Sequence, residues 1–301
     1  RMTVSRRNFM ATAAALSAAS FTRAHAQATA MPPVCVFSKH LHFIKDYGQL
    51  AKTAKSLGLD GLDLTVRKGG HVEPANVSTD LPKCVEAVRT EGLDVYMITT
   101  DLNKGSDPDA APILDAASKL KIKYARVGKQ QYSKDGDVAK ELAGFTEDLR
   151  ALTTVLEKFG MTGGYHNHSG ANNVGAPMWD IYEMAKSINS PHFGSNFDIG
   201  HATVEGSYGA WRITARLLAP YVKMSSAKDF VWEDNKIKWV PIGQGHVNIP
   251  EYYTIFRQAG FAGPVSIHVE YEIPSNDAML EEIRNAAVRL RSDLEKAGYA
   301  A

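Results

Sequence analysis

Short apolar runs alternate with amphipathic stretches from about residue 33 to the end of the chain. Eight of the runs have strand length, at 33–39 (PVCVFSK), 61–66, 94–100, 124–129, 161–168, 193–200, 221–229 and 264–272. Between them, segments such as YGQLAKTAKSLG, LPKCVEAVRTEG, LDAASKLKI, LAGFTEDLRALTTVLEKFG, MWDIYEMAKSI and IPEYYTIFRQAG carry apolar residues at helical spacing. Gly58, Gly92, Gly160 and Gly260 close four of these segments just before the next strand, where glycine ends a helix without strain. A final helix is predicted over 277–296. Strict alternation argues for parallel strands with right-handed crossovers, and eight units argue for closure into a (β/α)8 TIM barrel. An open doubly wound sheet is the competing arrangement, but no G-x-G-x-x-G follows the first strand. No repeat, low-complexity segment or linker divides residues 28–301, which read as one domain.

The segment before that domain has a different pattern. SRRNFM, then ATAAALSAAS, then an A-x-A site at Ala24-His25-Ala26 follow the order of an export signal, and the Arg6-Arg7 pair matches the twin-arginine type. Residues 1–27 are therefore expected to be a cleaved signal and the mature protein periplasmic or otherwise exported. The apolar run is too short and too alanine-rich for a membrane span, and no later segment qualifies. Loss of Arg1, Arg6, Arg7 and Arg23 with no acidic residue takes 34 Lys and Arg to 30, against 33 Asp and Glu, a net charge of −3. A mildly acidic domain has no electrostatic footprint for nucleic acid. Cys35 and Cys84 have no C-x-x-C partner, which excludes a cysteine zinc site, and are expected to be buried thiols.

The barrel reading makes the strand ends the place to look for chemistry. In GYHNHSG, His166 and His168 share one face if the segment is a strand, while Asn167 points the other way. Leaving out His25, seven of the nine histidines fall at or just after strand ends: His40, His42, His71, His166, His168, His201 and His268. FDIGH adds Asp198, and VEYE adds Glu270 on the face of His268. Imidazole and carboxylate converging from strands 5, 6 and 8 suit one divalent ion, Mn2+ first, with Zn2+, Co2+ or Fe2+ as alternatives. The cationic side chains Lys39, Arg67, Arg126 and Lys228 occupy the same rim and, with His71, are the candidates to orient substrate hydroxyls or an enolate. Trp179 and Trp211 lie in helical patterns and read as packing residues, whereas Trp232 and Trp239 flank the loop after strand 7.

These residues carry a resemblance. FDIGH followed by Gly206, the SAKDF segment, the IGQG turn at 242–245 and SIHVEYE together make the mature chain similar to the xylose isomerase-like TIM barrel family, and GLDGLDLTVRKGGHVEP resembles its exported members. That family includes sugar isomerases and epimerases, inosose dehydratase and endonuclease IV. The resemblance implies one divalent metal held by a Glu, an Asp, a His and a Glu on strands 5 to 8. Asp198 and Glu270 match; His166 stands in the place of the first Glu, and Ser226 stands where a His is common. It further implies His166, Asp198, Glu270 and His268 as the ligand set, with His168 or His201 filling in or serving beside Glu270 as acid and base. The expected activity is proton abstraction next to a carbonyl of an unphosphorylated keto-sugar, 3-keto-glycoside or cyclitol, giving isomerisation, epimerisation or elimination. A periplasmic sugar-binding barrel that has lost a metal ligand is the alternative. The expected partner is a small carbohydrate, with no nucleic acid and no membrane, and a homo-oligomer or partner subunit is left open.

Overall fold

The computed structural model describes residues 29–300. Eight parallel strands form the closed barrel: β1 (Val34–Phe37), β2 (Gly61–Thr65), β3 (Asp94–Thr99), β4 (Tyr124–Val127), β5 (Thr162–His166), β6 (Phe193–Asp198), β7 (Val222–Ala227) and β8 (Val265–Ile267). Each pairs with its successor, and β8 closes onto β1 with Val265 opposite Val34. The expected fold is the one observed. The export segment expected at residues 1–27 lies outside the described residues.

The strands are buried on both faces, as parallel strands wrapped by helices must be. Nine helices cover the barrel among the described residues: α1 (Tyr47–Ser56), α2 (Val77–Thr90), α3 (Ala110–Lys119), α4 (Val138–Lys158), α5 (Trp179–Ile188), α6 (Ile199–Glu205), α7 (Trp211–Leu218), α8 (Ile249–Gln258) and α9 (Asn276–Lys296). Asp46, Asp137, Asn248 and Ser275 start four of them by accepting a backbone N–H of the first turn. The four glycines expected to stop helices all have φ between 65° and 86°. Gly164 answers a different need: a Cβ there would lie 2.3 Å from Met224 Cε and 2.9 Å from the Asn196 backbone nitrogen. Side-chain-free backbone at this point lets β5 approach β6 and the barrel interior.

The structure departs from the sequence expectation at four places. Strand 6 ends at Asp198 and not at 200, because the Asp198 carboxylate accepts the His201 N–H and caps α6. Strand 8 ends its ladder at Ile267, since Val269 N donates to the His40 ring and not to a neighbouring strand. The segment after β7 is a β-hairpin, Asp229–Glu233 paired antiparallel with Lys236–Val240. Its turn residues Asp234 and Asn235 have φ of 49° and 58°, the type I′ conformation that a two-residue hairpin requires. Trp179, expected to pack, is 51 % exposed, whereas Trp211 is buried. Cys35 and Cys84 are free and buried. No helix among the described residues is long and apolar enough to cross a membrane.

Candidate active site

His166 is the last residue of β5, and His168 follows two positions on; their ring centroids are 4.7 Å apart. Asn167 between them is turned away. Its side chain donates to the Asp198 carbonyl at 2.9 Å and accepts the Asp198 N–H at 2.8 Å, which locks the end of β5 to the end of β6. The Asp198 carboxylate is split in the same way: Oδ1 caps α6, and Oδ2 faces His166 Nε2 at 3.5 Å and Lys228 Nζ at 3.1 Å. His268 lies between Phe37 and His166, stacked on both rings at centroid distances of 4.8 and 5.5 Å.

One donor atom each from His166, Asp198 and His268 lie within 4.8 Å of one another, and so do one each from His166, His168 and His201. His166 Nδ1 and both ring nitrogens of His268 are buried with no hydrogen-bond partner, and the buried Asp198 Oδ2 has only its ion pair with Lys228. Leaving such atoms unmade costs about 1–3 kcal/mol each, so their clustering marks a place built for a further electrophile. Two imidazoles and a carboxylate are the donors that Mn2+, Zn2+, Co2+ and Fe2+ accept. The residues therefore fit a divalent ion. Glu270, expected as a fourth ligand, belongs to neither set. Its Oε2 is taken by Lys228 at 2.8 Å, and its Oε1 lies 3.8 Å from His268 Nδ1.

Lys228, expected at the substrate, is 2 % exposed and faces inward. Besides Asp198 and Glu270, its ammonium meets His201 Nε2 at 2.6 Å and lies 4.4 Å from the centre of the Trp239 ring. An ammonium can only donate, so His201 Nε2 accepts and Nδ1–H donates to Ser169 Oγ at 2.8 Å. Both nitrogens of His201 are thus committed. Burial lowers the pKa of His201 to about 4, with Lys228 adding to the effect, and that of His168 to about 3, with Arg126 adding. Burial, then Arg126, takes His166 well below its ordinary value. All three are neutral near pH 7, the form that binds metals or accepts protons. Burial alone would raise Asp198 and Glu270, but Lys228 and the neighbouring histidines together outweigh it and lower both, which keeps them ionised.

A cavity of about 650 Å³ opens above this cluster. Phe37, Lys39, Arg67, Arg126, His168 and Glu270 line it, which brings three of the five candidate substrate residues to one place. His71 stands apart. Its Nδ1 meets Ser38 Oγ at 3.1 Å and its Nε2 meets the Ile44 carbonyl at 3.2 Å, so it braces the ends of β1 and β2. A larger cleft of about 810 Å³ lies outside, between the hairpin and α6–α7, but its Arg212 is bound in a fork by Glu251 and no metal-capable group of donors reaches it. Three further residues matter here, of which the sequence reading passed over Phe37 and gave His40 and Trp239 no role in the site. Phe37 carries His268; His40, its pKa lowered to about 3 chiefly by burial, holds the start of the β8 loop through Val269; and Trp239 of the hairpin covers Lys228 and His201. The alternation of WEDNKIKW around a two-residue turn was the signal for that hairpin.

A closed parallel barrel with a metal-capable cluster of donors at the carboxyl ends of its strands defines the class. The family profile described as xylose isomerase-like TIM barrel matches residues 51–289, and the chain belongs to that family. A protein of Methanocaldococcus jannaschii is 25 % identical over 155 residues, covering 49 % of this chain and 52 % of that one, so the chain matches about half the length of this curated relative. Solved structures with the same fold include a xylose isomerase domain protein from Alicyclobacillus acidocaldarius (TM-score 0.71, 16 % identity, 89 % of this chain and 99 % of that one). L-ribulose 3-epimerase (0.70, 12 %, 89 % and 96 %) and the 3-keto-D-glucoside 4-epimerase of E. coli (0.66, 11 %, 87 % and 100 %) share it too. Two further structures of this fold hold zinc and magnesium, at TM-scores of 0.67 and 0.64.

Proposed function

We propose that the protein is a divalent-metal-dependent isomerase, epimerase or lyase that removes a proton next to the carbonyl of a keto-sugar, a 3-keto-glycoside or a cyclitol. The observation that carries this reading is the convergence of Asp198 with the unpartnered buried ring nitrogens of His166 and His268, below a cavity walled by His168 and Glu270. Those three side chains would hold the ion, with Mn2+ the first choice. When bound, a divalent ion polarises the substrate oxygen and so acidifies the adjacent carbon. His168 presents a neutral imidazole to the cavity, the form that can accept a proton. Lys228 and His201, both committed beneath the cavity, fix the Glu270 carboxylate in place. Solved structures that share the fold include an L-ribulose 3-epimerase, a probable 3-DHS dehydratase and a 3-keto-D-glucoside 4-epimerase.

A second reading, a sugar-binding barrel without catalysis, draws on Lys228, whose ammonium already neutralises Asp198 and Glu270. Elemental mass spectrometry on the purified protein separates the two. Near-stoichiometric manganese, zinc, cobalt or iron is expected in the wild type and is lost in His166→Ala, Asp198→Ala and His268→Ala. Wild-type protein that stays empty in added metal would sink the enzyme reading.

A further inference from the structure

Arg126 closes the inner wall of the cavity and is only 7 % exposed. Among the described residues its guanidinium makes no ion pair, and its one side-chain hydrogen bond runs 3.4 Å to His168 Nε2. A guanidinium has five donors, so most of its hydrogen-bonding capacity is unspent at the cavity wall. Asp63, the carboxyl that most supports its charge, is turned to Thr99 Oγ1 and Ser266 Oγ in the barrel interior. A buried guanidinium without a carboxylate is a costly arrangement unless a ligand completes it.

A second guanidinium stands beside it. Arg67 and Arg126 lie 5.5 and 5.6 Å from the centre of the same Phe37 ring, so two like charges flank one aromatic ring, and among the described residues no carboxylate forms an ion pair with both. Among the described residues Arg67 has an ion-pair partner only in Asp101, at 3.4 Å and 66 % exposed, a contact that water screens. Lys39 and Lys129 line the same cavity. Against these four cations stand Glu272 and Glu270, and Glu270 is already paired with Lys228. A divalent ion below would add to the excess.

We infer that the substrate carries an oxyanion, a carboxylate or a phosphate, held by Arg67 and Arg126 at the edge of the Phe37 ring. The inference rests on the cavity being the substrate site and points to acidic sugars or, in departure from the unphosphorylated substrate expected from the sequence, sugar phosphates, since planar guanidinium pairs suit both groups in two-point contact. Neutral hexoses and cyclitols would leave both arginines unmatched.

Equilibrium binding by calorimetry tests it without turnover, using sodium D-glucuronate, its uncharged amide D-glucuronamide, D-glucose 6-phosphate, D-glucose and inorganic phosphate. An anionic sugar is expected to bind about tenfold or more tightly than its uncharged counterpart, and the identity of that sugar tells carboxylate from phosphate. Arg126→Gln and Arg67→Gln are each expected to cut the preference to within about threefold. Arg67 is on the cavity rim, so its variant keeps the test alive if the buried Arg126 variant does not fold. Equal binding of charged and uncharged sugars, no binding of any anion, or a preference that survives loss of Arg67 would overturn the inference. Metal content measured on the same samples keeps the two readings apart: an anion preference in protein that takes up no metal refutes the metal-dependent reaction and leaves the oxyanion site standing.

Discussion

An ammonium 3.1 Å from one carboxylate and 2.8 Å from another supplies, from within the chain, positive charge at the point where the metal's charge is wanted. Lys228 and the ion therefore oppose one another. At an effective dielectric of 20 a unit charge about 4 Å away is worth about 4 kcal/mol, so Lys228→Met is expected to tighten Mn2+ binding by roughly tenfold or more in competition with a fluorescent chelator. The same variant leaves the buried Asp198 and the partly exposed Glu270 carboxylates uncompensated and is expected to lower the stability of the metal-free protein by about 3–5 kcal/mol in urea unfolding. Unchanged metal affinity would show that the ammonium is not in competition. His71 gives a prediction of another kind. Burial, with His42 nearby, lowers its folded pKa to about 4, below the ordinary 6.5. The unfolded chain then takes up a proton that the folded one refuses, so this contribution is fully present above about pH 6.5 and is lost as the pH falls towards 4. Urea midpoints at about pH 7.5 and about pH 5 should fall further apart for the wild type than for His71→Asn; equal losses would remove His71 from the account. The sequence showed His166, His168 and Asp198 because period two and a strand end fix where they point. It hid the pairing of Lys228 with Glu270, which joins residues 42 positions apart beyond the last rungs of their strands.

The segment that follows Lys228 is organised by one side chain. Asp229 accepts four backbone N–H groups, from Phe230 and Val247 at Oδ1 and from Gly243 and Gly245 at Oδ2, all between 2.9 and 3.0 Å. This explains why SAKDF and IGQG occur in one chain: the aspartate of the first motif is the anchor of the second. The turn has no room for a side chain at Gly245, where a Cβ would come within 2.2 Å of Asp229 Oδ1. Asp229→Ala is expected to cost about 1–3 kcal/mol and to release the hairpin, which limited trypsin digestion would detect as faster cleavage after Lys236 or Lys238. Cleavage at the wild-type rate would mean that the hairpin is held by Trp239 and Phe230 instead. The hairpin itself escaped the sequence reading because a strand-to-helix alternation leaves that stretch as a connection, and its two tryptophans suggest exposure as readily as pairing. Helix α6 was obscured for a related reason. Asp198 serves both as strand end and as helix cap, so FDIGH runs from one element into the next with no turn residues between.

For the whole molecule, eight alternations were enough to specify closure, because parallel strands with helical crossovers have few other ways to bury both faces. Closure is also what makes the site, since β5, β6 and β8 reach one another across the barrel mouth only when β8 has paired with β1. A metal at the proposed site would consequently be linked to global stability: His166, Asp198 and His268 are far apart in the unfolded chain and converge in the folded one. An ion present at 100 times its Kd should add about 2.7 kcal/mol, which for a domain of this size is roughly 5–10 °C in melting temperature. Differential scanning fluorimetry of chelator-treated protein, with and without Mn2+, should show that rise in the wild type and its absence in His166→Ala. A wild-type melting temperature indifferent to metal would mean that the unpartnered nitrogens of His166 and His268 serve some other ligand, and the anionic sugar probes would then be the first to try.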